Sequence, residues 1–282
     1  MTLKEAFDSA LRHLEEADTP SPRLSAELLL MFTLDCDRAY LFAHPERELT
    51  ENEAERYEDA TARRCHGEPA QYITGHQEFY GRDFLVSPAV LIPRPETEHL
   101  IEAVLEIAGP GRRVEWNIVD VGTGSGCIAV TLAKELPQSK LMAVDISRSA
   151  LEMAQANAAR LEASVEFRES NLLSAVEPNR TFDVIVSNPP YVGECEADKV
   201  QKQVRDFEPH CAVFGGERGM DIVERLVPQV WDHLKPGGWF LMEIGYSIAE
   251  PVHAIMRGWS DFRVVPDLQG IPRVVVARKP KS

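Results

Sequence analysis

The chain has 282 residues, 44% of them hydrophobic and 27% charged, and it carries a net charge of −15. This length is near the upper size of one hydrophobic core, so a large domain with a smaller companion is expected. The acidic balance, with no evident Lys/Arg cluster, argues against a nucleic-acid partner, and the longest apolar runs are far too short to span a bilayer.

Residues 1–75 read as helical. Leu3, Phe7, Ala10, Leu11 and Leu14 recur at helical spacing. Ser21-Pro22 reads as an N-cap followed by a first-turn proline, opening the almost continuously apolar stretch Leu24 to Phe32. Thr50 with Glu53 forms a capping box for a helix reaching about Cys65. The segment holds 8 Lys+Arg against 16 Asp+Glu, which is −8 of the total −15, and no cluster suited to catalysis. It is either a stability module or a docking domain for another macromolecule. The second is favoured, because an enzyme acting on a small molecule would not need it.

Residues 66–95 change character. Aromatic and β-branched residues flank Gly81-Arg82 and predict a short hairpin; the prolines of Leu91-Ile92-Pro93-Arg94-Pro95-Glu96 then end extended structure and start a helix running to Ala108. From about residue 115 strands and helices alternate. The predicted strands are 117–121, 140–145, 165–169, 182–187, 239–243, 262–266 and 273–277, with helices including 147–160 and 220–234. Such alternation implies an α/β fold with a parallel, doubly wound sheet. The loop 267–272 has no room for a crossover helix, so the last two strands should be antiparallel.

Three strand ends carry the chemistry. Asp120-Val121-Gly122-Thr123-Gly124-Ser125-Gly126 joins the first of these strands to a helix, and its glycines let backbone N–H groups approach a ligand closely. Its Gly-x-Gly-x-Gly spacing differs from the dinucleotide fingerprint. Asp120 serves a cationic cofactor or caps the following helix. Asp145 ends the next strand about 20 residues on, where an acid hydrogen-bonds ribose hydroxyls. Asn188-Pro189-Pro190-Tyr191 follows the strand 182–187: an amide that both donates and accepts, two prolines that stiffen the turn, and a ring on which something flat can stack. A nucleoside cofactor beside a pocket that holds N–H groups implies group transfer to nitrogen. The five cysteines form no Cys-x-x-Cys pair, the eight histidines show no ligand spacing, and Met1 to Glu5 lacks a signal-peptide profile. No metal site, reduced cysteines and a cytoplasmic location are expected.

The Gly loop, Asp145 and Asn188-Pro189-Pro190-Tyr191, in that order, resemble class I S-adenosylmethionine-dependent methyltransferases acting on amide or amino nitrogen. The tetrapeptide alone is shared with N6-adenine nucleic-acid methyltransferases, the main alternative, which would need a basic groove and a target-recognition insert; neither is evident. Pro69 to Gly75, Glu78-Phe79-Tyr80-Gly81, Leu91 to Glu98 and Glu243-Ile244-Gly245 extend the resemblance, over nearly the whole chain, to the HemK-like release factor glutamine methyltransferases. The resemblance implies a Rossmann-like seven-stranded sheet in a methyltransferase domain at 96–282, a hairpin linker at 76–95, and an N-terminal helical bundle at 1–75 that engages the release factor. It implies transfer from S-adenosyl-L-methionine to the glutamine of a Gly-Gly-Gln motif in peptide chain release factors, with no direct nucleic-acid partner and no membrane. Asn188, Pro189, Pro190 and Tyr191 would hold the substrate, and Asn188, Pro189 and Tyr191 would assist the transfer. Asp120, Gly122, Thr123, Gly124, Ser125, Gly126, Asp145, Asn171, Leu172 and Asn188 would hold the cofactor. Asn171 and Leu172 stand where relatives often have an acid and an aromatic, a departure at the adenine.

Overall fold

A computed structural model of the protein describes residues 1–281, which divide into two compact units, one ending at His76 and one beginning at Gln77. Helices α1 (Leu3–Glu16), α2 (Pro22–Leu34), α3 (Arg38–Ala43), α4 (Glu51–Cys65) and α5 (Ala70–Thr74) make up the first. The stripe Leu3, Ala6, Ala10 and Leu14 buries one face of α1 against Leu29 and Leu30 of α2 and Tyr57 of α4. The Tyr57 hydroxyl, buried in that core, donates to the Ala26 carbonyl at 3.0 Å. Thr50 and Glu53 close a reciprocal capping box on α4, and Thr2 with Glu5 closes another on α1. Ser21 does not cap α2. Its φ of 50° lies in the left-handed region and its hydroxyl makes no cap bond, so Pro22 alone sets the entry, with no N–H of its own to satisfy.

The hairpin of β1 (His76–Phe79) and β2 (Arg82–Leu85) starts at the last residue of the first unit and otherwise opens the second. Its two turn residues, Tyr80 and Gly81, both take positive φ, as a two-residue hairpin of the I′ kind requires. A short 3-10 turn, Pro95–Thr97, leads into α6 (Glu98–Ala108). Then follow β3 (Asn117–Val121), α7 (Cys127–Glu135), β4 (Lys140–Asp145), α8 (Arg148–Arg160), β5 (Val165–Glu169) and β6 (Phe182–Ser187). The chain continues through α9 (Lys202–Phe207), α10 (His210–Val213), α11 (Asp221–His233), β7 (Leu234–Glu243), α12 (Ala249–Ile255), β8 (Ser260–Pro266) and β9 (Pro272–Arg278). All seven predicted strands are present. They form one sheet in the order β5-β4-β3-β6-β7-β9-β8, with the β3–β7 ladders parallel and both β9 ladders antiparallel.

Both faces of the sheet are covered, which is why its central strands are apolar almost throughout. Side chains alternate along β3: Ile118 faces a core shared with Leu100, Ile101 and Val104 of α6 and Ile128 and Leu132 of α7, while Val119 and Val121 face one shared with Val223, Leu226 and Val230 of α11. The register then fixes the site. Val121 pairs with both Val144 and Ser187, and Ser187 pairs with Met242. The residues that follow these four, Gly122, Asp145, Asn188 and Glu243, therefore emerge side by side at the carboxyl edge. The strand order reverses between β3 and β6, the switch point at which open α/β sheets bind ligands.

Candidate active site at the carboxyl edge of the sheet

Two cavities open at this edge. The first is lined by Gly122, Thr123, Gly124, Ser125 and Asp145, by Asn171 and Leu172 after β5, and by Asn188 and Pro190. The second is lined by Asn188, Pro189, Pro190 and Tyr191, with Arg94, Glu96, Glu243 and Arg273. Asn188 and Pro190 line both, so the end of β6 forms part of the wall of each.

On the first side the Gly loop is tied to β4. The N–H groups of Gly122 and Thr123 both donate to the Val144 carbonyl, at 2.8 and 3.0 Å. Gly122 and Gly124 hold φ of 76° and 56°, and a Cβ on either would point into open space. The backbone here is bare where a ligand would lie against it. Asp145 accepts the Gly124 N–H on one oxygen and the Ser147 N–H on the other, each at 2.9 Å. Burial pushes this carboxyl above the ordinary range, and those N–H groups pull it partly back. Gly126 lies off the cavity wall; a Cβ there would meet Ala154 of α8 at 3.0 Å, so its role is close packing of α7 on α8.

Asp120 is fully buried beneath the loop. Its Oδ2 accepts the Thr123 hydroxyl at 2.6 Å, while Oδ1 has no hydrogen bond of ordinary geometry, although the nearby Ala129 N–H favours the charge. Burial pushes this carboxyl up to about 7. The sequence left Asp120 between serving a cation and capping α7; the N-cap residue Gly126 has no side chain to cap with, and Asp120 faces the Ala129 N–H in the first turn of α7, so both readings stand. Asn171 is exposed and its Oδ1 accepts Arg225 of α11 at 2.8 Å, while Leu172 packs in the wall with a left-handed φ of 56°.

On the second side the order is different. The Asn188 Nδ2 donates to the Thr97 hydroxyl at 3.1 Å, and Thr97 in turn donates to Glu243 Oε2 at 2.6 Å. The Tyr191 hydroxyl donates to Glu243 Oε1 at 3.0 Å. The Tyr191 ring fits because residue 245 is glycine, where a Cβ would come within 2.7 Å of it. Glu208, almost fully buried, accepts both the Ile92 N–H at 3.1 Å and the Arg94 guanidinium, holding the approach segment in place. Sequence reasoning assigned no role to Thr97, Glu208, Glu243 or Arg225. One signal was available for Glu243: like Asp145, it is an acid that closes an apolar strand.

Among the described residues no group of His, Cys, Asp or Glu could hold a metal ion, and no helix is long and apolar enough to cross a membrane. Residues 5–75 match the family described as the PrmC N-terminal domain, and residues 97–206 match the Methyltransferase small domain. Among solved structures, a methyltransferase from Pyrococcus furiosus is 21% identical, with a TM-score of 0.52 over 72% of this chain and 91% of that one. A Thermus thermophilus 16S rRNA N2 G1207 methyltransferase, solved with AdoMet and guanosine, is 20% identical with a TM-score of 0.52, over 72% of this chain and 49% of that one. At such identity these two establish the fold alone. Sequence relatives go further. A release factor glutamine methyltransferase of Koribacter versatilis is 80% identical over the full length of both chains, and one from Geobacter sulfurreducens is 39% identical over 98% of this chain and 96% of its own. Identity of that extent, from the helical unit through to the last strands, means that the chain belongs to the release factor glutamine methyltransferase family.

Proposed function

We propose that this protein transfers a methyl group from S-adenosylmethionine to the side-chain amide nitrogen of the glutamine in the Gly-Gly-Gln motif of peptide chain release factors. The observation that carries the reading is the Asn188 amide, which lines both cavities and has one of its two N–H groups engaged by Thr97. That bond fixes the amide with its oxygen as the acceptor available to a second amide.

The residues of the first cavity fit S-adenosylmethionine. Gly122 and Gly124 offer bare backbone and Asp145 stands where ribose hydroxyls need an acceptor; Asp120 does not line the cavity and would act from beneath the loop through its charge. Thr123, Ser125, Asn171 and Leu172 complete the proposed wall. When bound, the cofactor supplies a methyl carbon made electrophilic by its sulfonium.

The protein's task is then to prepare a poor nucleophile. A carboxamide nitrogen shares its lone pair with the carbonyl. Asn188 Oδ1 and the Pro189 carbonyl would accept its two N–H groups and aim the nitrogen toward the first cavity; such alignment is worth about 7–11 kcal/mol in well-oriented pairs. As positive charge develops on nitrogen its N–H groups become stronger donors, so both oxygens bind the transition state better than the ground state. Pro190 stiffens the turn and Tyr191 provides a stacking surface for the amide plane. The released proton leaves to water.

Residues 1–75 are proposed as the release factor docking domain, 76–95 as a hairpin linker and 96–282 as the catalytic domain. A cytoplasmic enzyme that binds neither nucleic acid directly nor membrane fits the −15 charge. Radiolabelled S-adenosylmethionine offered in parallel with release factor, duplex DNA and RNA tests the assignment. Label on the glutamine of release factor alone is expected; label on either nucleic acid would overturn it.

A further inference from the structure

A primary amide at the end of β6 can sit in two ways that occupy nearly the same space, with oxygen or nitrogen toward the substrate. Only one is useful for gripping an N–H group. The shape of the site does not choose between them, so the hydrogen bonds behind Asn188 must.

Behind it lies a relay of three groups. The Thr97 hydroxyl is 3.1 Å from Asn188 Nδ2 and 2.6 Å from Glu243 Oε2, and the Tyr191 hydroxyl is 3.0 Å from Glu243 Oε1. Each hydroxyl has one proton to give. Burial pushes the Glu243 carboxyl up, while the Thr97 and Tyr191 hydroxyls and the charge of Arg273 pull it back. In its ionised form Glu243 only accepts, so both hydroxyl protons are then committed to it. Thr97 then has only lone pairs left to offer Asn188, and it can be satisfied only by the Nδ2 side of the amide. Turned the other way, Asn188 would set its oxygen against the lone pairs of Thr97. Thr97 and Glu243 are 2% and 1% exposed, so water does not relieve that mismatch.

We propose that Thr97 and Glu243 are positioning residues for methyl transfer: through the Thr97 hydroxyl, the Glu243 carboxylate fixes the Asn188 side chain with Oδ1 presented to the substrate, and the same carboxylate anchors Tyr191. The pair joins the approach segment before α6, the end of β6 and the end of β7, so one buried carboxylate sets two members of the substrate turn. Glu243 donates nothing to the reaction and touches no reacting atom; it acts on Asn188 only through Thr97. This inference rests on the reading of Asn188 as the acceptor for the substrate amide.

The test uses the full chain with intact release factor, comparing Thr97→Val, Thr97→Ser, Glu243→Gln and Asn188→Ala. Valine keeps the shape of threonine and removes the hydroxyl; serine keeps the hydroxyl. Glutamine at 243 puts a donor where one of the two hydroxyls needs an acceptor, and it covers the case of a Thr97→Val chain that folds poorly. Single-turnover rate, KM for release factor, S-adenosylhomocysteine affinity by calorimetry and a thermal melt are read on each preparation. Thr97→Val and Glu243→Gln are expected to slow the single-turnover step roughly tenfold to a hundredfold, with cofactor affinity and KM nearly unchanged. Thr97→Ser should restore most of the rate. Wild-type rates in Thr97→Val or Glu243→Gln beside a slow Asn188→Ala would overturn the positioning role and leave the reading of Asn188 standing. Equal loss in the valine and serine variants, or a loss that follows the melting temperature, would overturn it as well. A fast Asn188→Ala would instead remove the reading on which the inference rests.

Discussion

Two fully buried carboxylates flank β6, and they are satisfied in opposite ways. Glu243 at the end of β7 has a hydroxyl on each oxygen, from Thr97 and from Tyr191. Asp120 near the end of β3 has one, from Thr123, and its second oxygen has no hydrogen bond of ordinary geometry. A buried polar atom without a partner costs roughly 1–3 kcal/mol, so a chain keeps one where something else gains from it. The contrast divides the edge of the sheet. The side proposed for the methyl acceptor is built as a finished frame, with donors and acceptors matched internally. The side proposed for the cofactor keeps acceptor capacity in reserve.

The largest expected effect that sharpens this contrast concerns Asp120 itself. Its carboxyl loses its proton near the ordinary 3.8 in the unfolded chain and near 7 in the folded one. Between these values the folded state holds the extra proton, so stability is fully present below about 3.8 and is lost as pH rises through about 7. At about 1.4 kcal/mol per pH unit the loss reaches about 4 kcal/mol. Asp120→Asn keeps the shape and cannot ionise. Melting temperatures of the two proteins, read without cofactor from pH 4 to 8, should converge at the acid end and separate in favour of the variant above neutrality. Parallel curves would mean that Asp120 stays ionised and that the two carboxylates are not so different.

Next in size is Asn188→Ala, which removes what the Glu243 frame supports. One lost transition-state hydrogen bond is worth ~2.7–4 kcal/mol, or 10²–10³ in rate. Affinity for S-adenosylhomocysteine should fall less, because the Gly loop and Asp145 remain, and release factor affinity should change little. Single-turnover methylation and a melt on one preparation separate chemistry from stability. A rate loss wholly accounted for by unfolding would reduce Asn188 to a brace for the turn.

Asp145→Ala follows. The loss of hydrogen bonds to a charged group costs ~1.5–3 kcal/mol, about 10- to 150-fold in S-adenosylhomocysteine affinity. Asp145 also accepts the Gly124 and Ser147 N–H groups, so some stability should go with it. Asp145→Asn retains one acceptor oxygen and should sit between the two in calorimetric titration. Wild-type affinity in the alanine variant would remove ribose from this strand end.

These effects fall on residues that differ in how easily sequence reveals them. Seven strands, a hairpin (read one residue late, at Gly81-Arg82, where the turn is Tyr80-Gly81) and the capping box at Thr50 were legible because each depends on neighbours in the chain. So were the Gly loop, Asp145 and the Asn-Pro-Pro-Tyr turn, each a local pattern at the close of an apolar strand. Ser21 misled, because the residue type and the following proline suit a cap but the backbone turns left-handed there. Thr97 and Glu243 lay within stretches that carry the family resemblance but were given no role, and Glu208 gave no signal at all. Thr97 meets Glu243 across 146 positions of sequence, and Glu208 meets Arg94 across 114. Only the tertiary fold, which lays the segment before α6 against the end of β7 and the stretch after α9, brings such pairs together, and periodicity along the chain carries no trace of it.

The smallest expected effect lies at the adenine end of the reserve side, where Asn171 and Leu172 depart from the acid and aromatic that resemblance to the family led us to expect. The Asn171 oxygen accepts Arg225 at 2.8 Å, which turns its Nδ2 away from that guanidinium. An aspartate paired with this arginine would present only oxygens to the ring; the asparagine presents a donor as well. Arg225 would therefore act on the cofactor by holding Asn171 in one orientation, the same logic proposed for Thr97 and Asn188. The setting is different: Asn171 is exposed, so water replaces a lost partner at little cost. A net hydrogen bond of ~0.5–1.5 kcal/mol bounds the effect, so Arg225→Ala should weaken S-adenosylhomocysteine binding by about 2- to 12-fold, and Asn171→Ala by a similar factor. The double variant should lose little more than either single one, since both break the same bond. Fully additive losses would mean that the two side chains meet the cofactor independently. A loss as large as that of Asp145→Ala would move Arg225 from a support to a direct contact with the cofactor.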